Sequence, residues 1–167
     1  MKLLEVTIKN FRSIDELKIE VSPIEDNSFT YSLIGINEAG KSSILRAMSL
    51  KDNFDSYAPT IKDFNDRAKP IEVSYLFELD TKEVKLGKEY LKSKITNTDL
   101  SKIDISIISF NLSVPFSTPN TFAKTVTCHS FKEDDTLKSP IESHLIAFIT
   151  PDKFKTIFWK ADDTFLI

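Results

Sequence analysis

Residues Gly35-Ile36-Asn37-Glu38-Ala39-Gly40-Lys41-Ser42 read G-x-x-x-x-G-K-S, a spacing in which each fixed residue suits phosphate chemistry. Gly35 and Gly40 lack a Cβ, so the backbone between them can curl and converge its N–H groups on one anion. A following helix adds the partial positive charge of its amino end. The Lys41 ammonium reaches the β- and γ-phosphates of a nucleotide, the Ser42 hydroxyl offers an oxygen to Mg²⁺, and Ser43 adds a helix-start hydrogen bond to the α-phosphate. The chain has three glycines among 167 residues, and two of them stand at this spacing. At an average glycine use of about 7 per cent, chance yields the pattern in well under about one such chain in a hundred. The expected ligands are ATP and Mg²⁺, although no local motif reads the base.

A phosphate loop of this kind works between a buried strand and a helix, and the sequence supplies both. Phe29 to Ile36 is nearly continuously apolar, as in a strand covered on both faces, and Ser42 to Leu50 sets Ile44, Leu45 and Met48 at helical spacing. Upstream, Leu4, Val6 and Ile8 alternate with polar residues. The alternation resumes at Leu17, Ile19 and Val21 after Asn10-Phe11-Arg12-Ser13, which predicts two half-buried antiparallel strands, then a turn over Ser22 to Ser28. Lys51 to Pro70 is polar with isolated Phe54, Tyr57 and Phe64, which predicts a long surface loop with few apolar anchors. Ile71, Val73, Tyr75, Phe77 and Leu79 alternate strictly. Asp80 and Glu83 then fit the N-cap and N3 positions of a helix carrying Val84, Tyr90, Leu91 and Ile95 on its apolar stripe.

Further on, Ile103, Ile105 and Ile107 keep one phase while Ile108, Phe110 and Leu112 keep the other, which predicts one strand interrupted by a bulge. It pairs through the turn Ser117-Thr118-Pro119-Asn120 with a strand inside Phe122 to Phe131. Leu145 to Ile149 and Phe154 to Trp159 read as two short strands. The expected fold class is α/β, a P-loop sheet with an antiparallel β-rich lobe. Residues 1–50 hold strands, P-loop and first helix, 51–70 the loop, and 71–167 the β-rich lobe of a single segment.

A strand ending in Asn10-Phe11-Arg12-Ser13-Ile14, a second strand, and then Ile34 to Ser43 resemble the start of the ABC-type ATPase heads of SMC, RecF and OLD-family proteins, catalogued as AAA-family ATPases. The bacterial AAA ATPases of phage-defence systems are the most similar in this respect. The resemblance rests on residues 1–50. It implies a P-loop NTPase fold, ATP and Mg²⁺ as ligands, and Arg12 and Ser13 on the adenosine or phosphate side of the nucleotide. It also implies a head-to-head homodimer in the full-length protein, with nucleic acid engaged only through other domains. Read from the turn alone, Arg12 is equally a solvated arginine.

Other parts of such a head are not recognisable. ABC-type heads use a glutamine to sense Mg²⁺ and the attacking water, and this chain has none. Asp63 or Asp66 offers a substitute oxygen ligand for the metal, against the plainer reading of both as solvated loop acids. The signature glycines would stand late, but the last glycine is Gly87. Neither Leu76 to Asp80, interrupted by Glu78, nor Leu145 to Asp152, with Pro151 before its acid, makes a convincing Walker B strand. The chain is therefore expected to be the N-terminal portion of a longer head that binds ATP and hydrolyses it only when complete, with its catalytic acid unidentified. Two alternatives compete. A small P-loop kinase is disfavoured by the 34 residues before the loop and by having only Arg12, Arg46 and Arg67. The other is a non-catalytic interaction domain.

Composition narrows the rest. With 22 basic against 25 acidic residues, the chain lacks the basic excess that binds nucleic-acid backbones. Cys128 is the sole cysteine, which excludes an intrachain disulfide and a cysteine-rich zinc site and reads as a small core residue. His129 and His144 lack metal-ligand spacing, and Glu133-Asp134-Asp135 reads as a solvated turn. Lys2, Glu5 and Lys9 break any early apolar run, and no stretch reaches the roughly 18 apolar residues of a membrane span, so a cytoplasmic protein is expected.

Overall fold

The computed structural model describes residues 1–21, 40–52, 57–95, 100, 103–129 and 135–149. The alternating segments form five strands: β1 (Lys2–Phe11), β2 (Ile14–Glu20), β3 (Ile71–Glu78), β4 (Ile107–Val114) and β5 (Ala123–Cys128). They make one sheet in the order β2-β1-β3-β4-β5, every neighbouring pair antiparallel. The register lines up Val6, Tyr75, Phe110 and Val126 in one row and Ile8, Val73 and Leu112 in the next, all buried. The period of two sends the intervening residues to the other face, where Ser74 donates to Asn111 at 2.6 Å and Asn111 donates to Thr127 at 3.3 Å. A polar face and an apolar face follow from one pattern.

Among the described residues, three helices bear on the apolar side: α1 (Lys41–Ser49), α2 (Thr81–Lys94) and α3 (Asp135–Phe148). The Tyr75 hydroxyl donates to the Met48 carbonyl at 2.8 Å, and Ala47 and Leu50 are fully buried, so the carboxyl end of α1 is fixed to the sheet. Asp80 caps α2 by accepting from the Lys82 and Glu83 N–H groups, while Glu83 accepts from the Asp80 N–H, which is the capping box anticipated from the sequence. The N-terminal ammonium of Met1 also pairs with Glu83. On α3, Glu142 accepts from the Cys128 N–H at 2.9 Å and so occupies a donor of the outer strand β5. Cys128 is buried, and burial first, with the nearby Glu142 charge, pushes its thiol up to about 12.

Four expectations change. The strand expected from Ile103 with a bulge is β4 alone, which begins at Ile107 and pairs with β3 without a slip. Asp104 accepts from the Ser106 N–H at 2.8 Å, and this local turn takes Ile103 and Ile105 off the sheet into the core. The register shift lies instead between Leu3 and Glu5 of β1. Leu145 to Phe148 is helical: Leu137, Ile141 and Leu145 recur every four residues, a period that a short apolar run read alone conceals. Leu45 is 41 % exposed; the buried residues of α1 are Ser43, Ala47 and Ser49, while the expected Ile44 and Met48 are partly buried against the core.

The segment from Tyr57 to Pro70 is mostly exposed, as a surface loop is, with Phe64 buried as an aromatic tether, but it is more ordered than its polar sequence suggests, since Asp63 is also buried and Ile61–Asp63 forms a 3₁₀ turn. The expected turn over Ser22 to Ser28, the strand over Phe29 to Ile36, Phe54, Phe131, Glu133, Asp134, Asp152 and the strand over Phe154 to Trp159 lie outside the described residues. Asp135 opens α3.

Helices α2 and α3 meet closely at Gly87, where an added Cβ would stand 2.7 Å from Ile105 Cδ1 and 3.3 Å from the Phe148 ring. Replacing Gly87 by leucine should destabilise the fold by about 1–3 kcal/mol through overpacking. Alanine should be nearly neutral, because the tip of Ile105 can swing aside and the gain in helix propensity is about 1 kcal/mol. Urea denaturation of the two variants, with exposed Leu86→Ala as reference, checks this ordering.

Candidate functional site

Of the expected phosphate loop, Gly35, Ile36, Asn37, Glu38 and Ala39 lie outside the described residues, and Gly40 to Ser43 lie within them. Gly40 has φ +78° and ψ 1°, left-handed geometry that a Cβ disfavours, and it stands as N-cap to α1. Lys41 is the first helical residue. Among the described residues no side chain caps α1, and its first turn holds no acidic residue, in contrast to the capping box on α2. The Ser43 and Ile44 N–H groups turn back onto the Gly40 carbonyl at 2.9 and 3.0 Å. Ser42 is exposed, whereas Ser43 is buried against the sheet side of the helix. An amino end built this way suits an anion, since its dipole is unopposed by any carboxylate of its own turn.

The β1–β2 hairpin carries the other sequence-derived candidates. Its two-residue turn is Arg12-Ser13, with Phe11 opposite Ile14. Asn10 and Arg12 both have φ of 56° without being glycine. Asparagine tolerates this region, but for arginine it costs about 1–2 kcal/mol. Neighbouring residues hold Asn10, Phe11 and Arg12 in place. The Asn10 amide donates to the carbonyls of Asp66, Lys69 and Pro70 at 2.8, 2.7 and 3.1 Å and accepts from the Asp66 N–H at 2.6 Å. Phe11 is fully buried and bridges Phe64. The Arg12 N–H donates to the Asp63 carbonyl at 2.6 Å, its Nε to the Asp63 carboxylate at 2.8 Å, and its Nη2 to the Tyr57 hydroxyl at 3.1 Å. Ser13 is exposed at the tip.

Asp63 is 2 % exposed and is not a solvated loop acid. One carboxylate oxygen takes the Arg12 Nε, and the other accepts from the Thr60 N–H at 2.8 Å and the Thr60 hydroxyl at 3.0 Å. Burial pushes its carboxyl up, but hydrogen bonds from Tyr57, Thr60 and Arg12 outweigh that and hold it below the usual carboxylate range. Arg12 mirrors this: burial works against its charge, and its bonds to Asp63 and Tyr57 raise it above its ordinary value. Asp66 accepts locally from the Ala68 N–H at 2.9 Å.

Tyr57 joins this cluster to α1, because the guanidinium carbons of Arg12 and Arg46 lie 5.7 and 5.4 Å from its ring centroid. Sequence reasoning reached Arg12, Ser13 and Asp63 but missed Asn10, Tyr57, Thr60 and Arg46 as parts of one constellation. Thr60-Ile61-Lys62-Asp63 carries a helix-start capping pattern that could have marked Asp63 as structured. Among the described residues, no three His, Cys, Asp or Glu side chains gather as a metal group, and no helix is long and apolar enough to cross a membrane.

The depressed Asp63 pKa fixes the sign of a pH effect. Its stabilising contribution is present above the unfolded value near about 3.9 and is lost as pH falls through the lower folded value. Asp63→Asn should therefore cost about 1–3 kcal/mol at neutral pH. The difference from wild type should shrink below about pH 4, as read by urea unfolding at several pH values.

Known proteins place these features in a family. The family model described as an AAA ATPase domain matches residues 1–160. Among solved structures, one from work on the ATP-driven dimerization and DNA-stimulated activation of SMC ATPases has a similar fold. It superposes with a TM-score of 0.52 at 17 % identity, covering 95 % of this chain and 87 % of that one. No curated protein matches the sequence. With the family model spanning nearly the whole chain and a P-loop NTPase-like α/β fold shared with an SMC ATPase, this protein belongs to the AAA ATPase domain family of ATP-binding proteins.

Proposed function

We propose that the chain binds Mg-ATP through Gly35 to Ser43 and serves as the N-terminal ATP-binding portion of an SMC- and OLD-like ATPase head. The observation that carries this reading is the start of α1: left-handed Gly40, then Lys41, with neither a side-chain cap nor an acid in the first turn, at the end of a G-x-x-x-x-G-K-S pattern. The backbone N–H groups at that end orient phosphate oxygens, and Lys41 neutralises charge on the β- and γ-phosphates. The exposed Ser42 hydroxyl fits the metal. Bound Mg²⁺ supplies electrostatic stabilisation of the phosphates. Asp63 fits the metal less well, because both its carboxylate oxygens already accept from protein donors. Arg12, and Ser13 beside it at the hairpin tip, face the nucleotide in this reading.

The affiliation with phage-defence ATPases rests on Asn10 to Ile14 and Ile34 to Ser43 alone. A head-to-head homodimer is supported by the ATP-driven dimerization for which the compared SMC ATPases are described. In that arrangement the partner completes the phosphate site, and hydrolysis waits on it.

Calorimetry with Mg-ATP on the folded chain should show binding that Lys41→Ala weakens by about tenfold or more, the loss of one charge-assisted contact. Phosphate release by the chain alone should stay far below an ordinary turnover of about 1 per second. A folded chain that binds no ATP would favour the interaction-domain reading. Turnover abolished by Lys41→Ala would reveal a catalytic acid within these 167 residues.

A further inference from the structure

We propose that the outward face of α2 is a docking surface for an acidic protein segment that carries an apolar anchor. Helix α2 buries Gly87 and Leu91, which leaves Lys82, Lys85, Leu86, Glu89 and Lys92 exposed on the opposite side. Lysines outnumber the carboxylate along a stripe that runs about 15 Å from Lys82 to Lys92. The one other acid of the helix, Glu83, is already engaged by the Met1 ammonium and the Asp80 N–H. Since the whole chain carries a net charge of −3, this face is a local reversal of sign.

The fold does not account for these charges. Lysines on the sheet are neutralised where they stand: Lys2 pairs with Glu78 at 3.6 Å, Lys9 with Glu16 at 3.0 Å and Lys18 with Glu5 at 2.8 Å. Lys85 and Lys92 have no ion-pair partner among the described residues. Lys92 suits the negative end of the helix dipole, but Lys82 in the first turn opposes it, and Lys85 precedes Glu89 in the weaker order for a pair four residues apart. Leu86 is 55 % exposed, more than any other large apolar side chain among the described residues, and it stands one turn from Lys82.

That mixture of groups decides the occupant. A nucleic-acid backbone would meet the lysines with phosphates but offers nothing to Leu86, and the acidic balance of the chain opposes a long polyanion. A protein segment with carboxylates around one apolar side chain matches both features. Its apolar group seats on Leu86, and its Asp or Glu side chains pair with Lys82, Lys85 and Lys92. One helix face is a small interface, so the complex is weak and sensitive to salt. None of this rests on the nucleotide reading.

The test is fluorescence anisotropy at low salt, titrating the folded chain into three labelled probes: a synthetic peptide of repeated Glu-Asp-Leu-Glu, a polyglutamate of the same length and a short DNA duplex. The leucine-containing peptide should bind most tightly, with polyglutamate about threefold weaker or more. Lys85→Glu/Lys92→Glu should weaken the peptide by about tenfold or more, and Leu86→Ala by about threefold. Lys62→Glu, which reverses an exposed lysine away from α2, should leave its affinity unchanged.

No peptide binding, or equal affinity in wild type and Lys85→Glu/Lys92→Glu, would overturn the proposal. Equal affinity for polyglutamate, or wild-type affinity in Leu86→Ala, would remove the apolar anchor and overturn it as well. Tighter binding of the duplex than of the peptide would assign the face to nucleic acid instead. Self-association in sedimentation that the charge reversal abolishes would assign it to a second copy of the chain. If circular dichroism shows that the reversed pair does not fold, Lys85→Gln/Lys92→Gln carries the test: a loss of about threefold or more is expected, and unchanged affinity would overturn the proposal.

Discussion

Three consecutive residues, Asn10, Phe11 and Arg12, hold the stretch from Tyr57 to Pro70 by three different forces. Asn10 satisfies three carbonyls and one N–H, Phe11 bridges Phe64 in the core, and Arg12 binds Asp63 through backbone and side chain. Ordering a polar segment costs roughly 1–2 kcal/mol per residue in backbone entropy, and this one has few apolar side chains to offset it. Hydrogen bonds to a buried amide and a buried carboxylate take that role. Because the Asn10 amide reaches the Pro70 carbonyl, the same contact delivers the chain to Ile71 in register, with Lys9 opposite Glu72. The pairing of β1 with β3, and so the centre of the sheet, depends on a hairpin turn whose backbone is itself strained.

The two capped and uncapped helix starts divide the molecule by role. Helix α2 has a full capping box, reinforced by the Met1 ammonium on Glu83, and Gly87 lets it lie close to α3 and Ile105. Its amino end is satisfied by the protein. Helix α1 is secured at its other end, where Tyr75 holds the Met48 carbonyl and Ala47 and Leu50 are buried. Its amino end carries a left-handed glycine and no acid. A structural helix start in this chain is written Asp80-x-x-Glu83. The start at Gly40-Lys41 omits that chemistry, which is expected of a site whose oxygen atoms arrive on a ligand.

What could be read in advance followed from period and spacing. Alternation located β1, β2 and β3, the Thr- and Val-rich run within Phe122 to Phe131 located β5, and the Asp80/Glu83 pair located the start of α2, because each is a local consequence of backbone geometry. Gly40 and Lys41 were legible as motif residues for the same reason. The misreadings share a different cause. Ile103 and Ile105 alternate like a strand, but the Asp104 turn to Ser106 withdraws them. Leu145 to Phe148 was too short a run to show its helical period without Leu137 and Ile141. Asp63 looked solvated because the local Thr60 capping pattern was not read and its other partner, Arg12, is tertiary, with no local pattern relating residue 12 to residue 63.

Helix α1 and the hairpin turn make one mechanical unit. Nine residues at 1.5 Å rise make α1 about 13 Å long, stiff over that distance and seated on the sheet by its last turn. Arg46, in that last turn, stacks on Tyr57, and Tyr57 holds Arg12. A charge placed at Lys41 therefore acts on a helix whose far end touches the ring that orients Arg12. Any ligand that binds only the folded chain stabilises it by RT ln(1 + [L]/Kd), which grows with the logarithm of ligand concentration once the site is filled. The hairpin, the buried carboxylate and the last turn of α1 are thus tied together through Tyr57, with Asp63 as the only buried negative charge among the described residues.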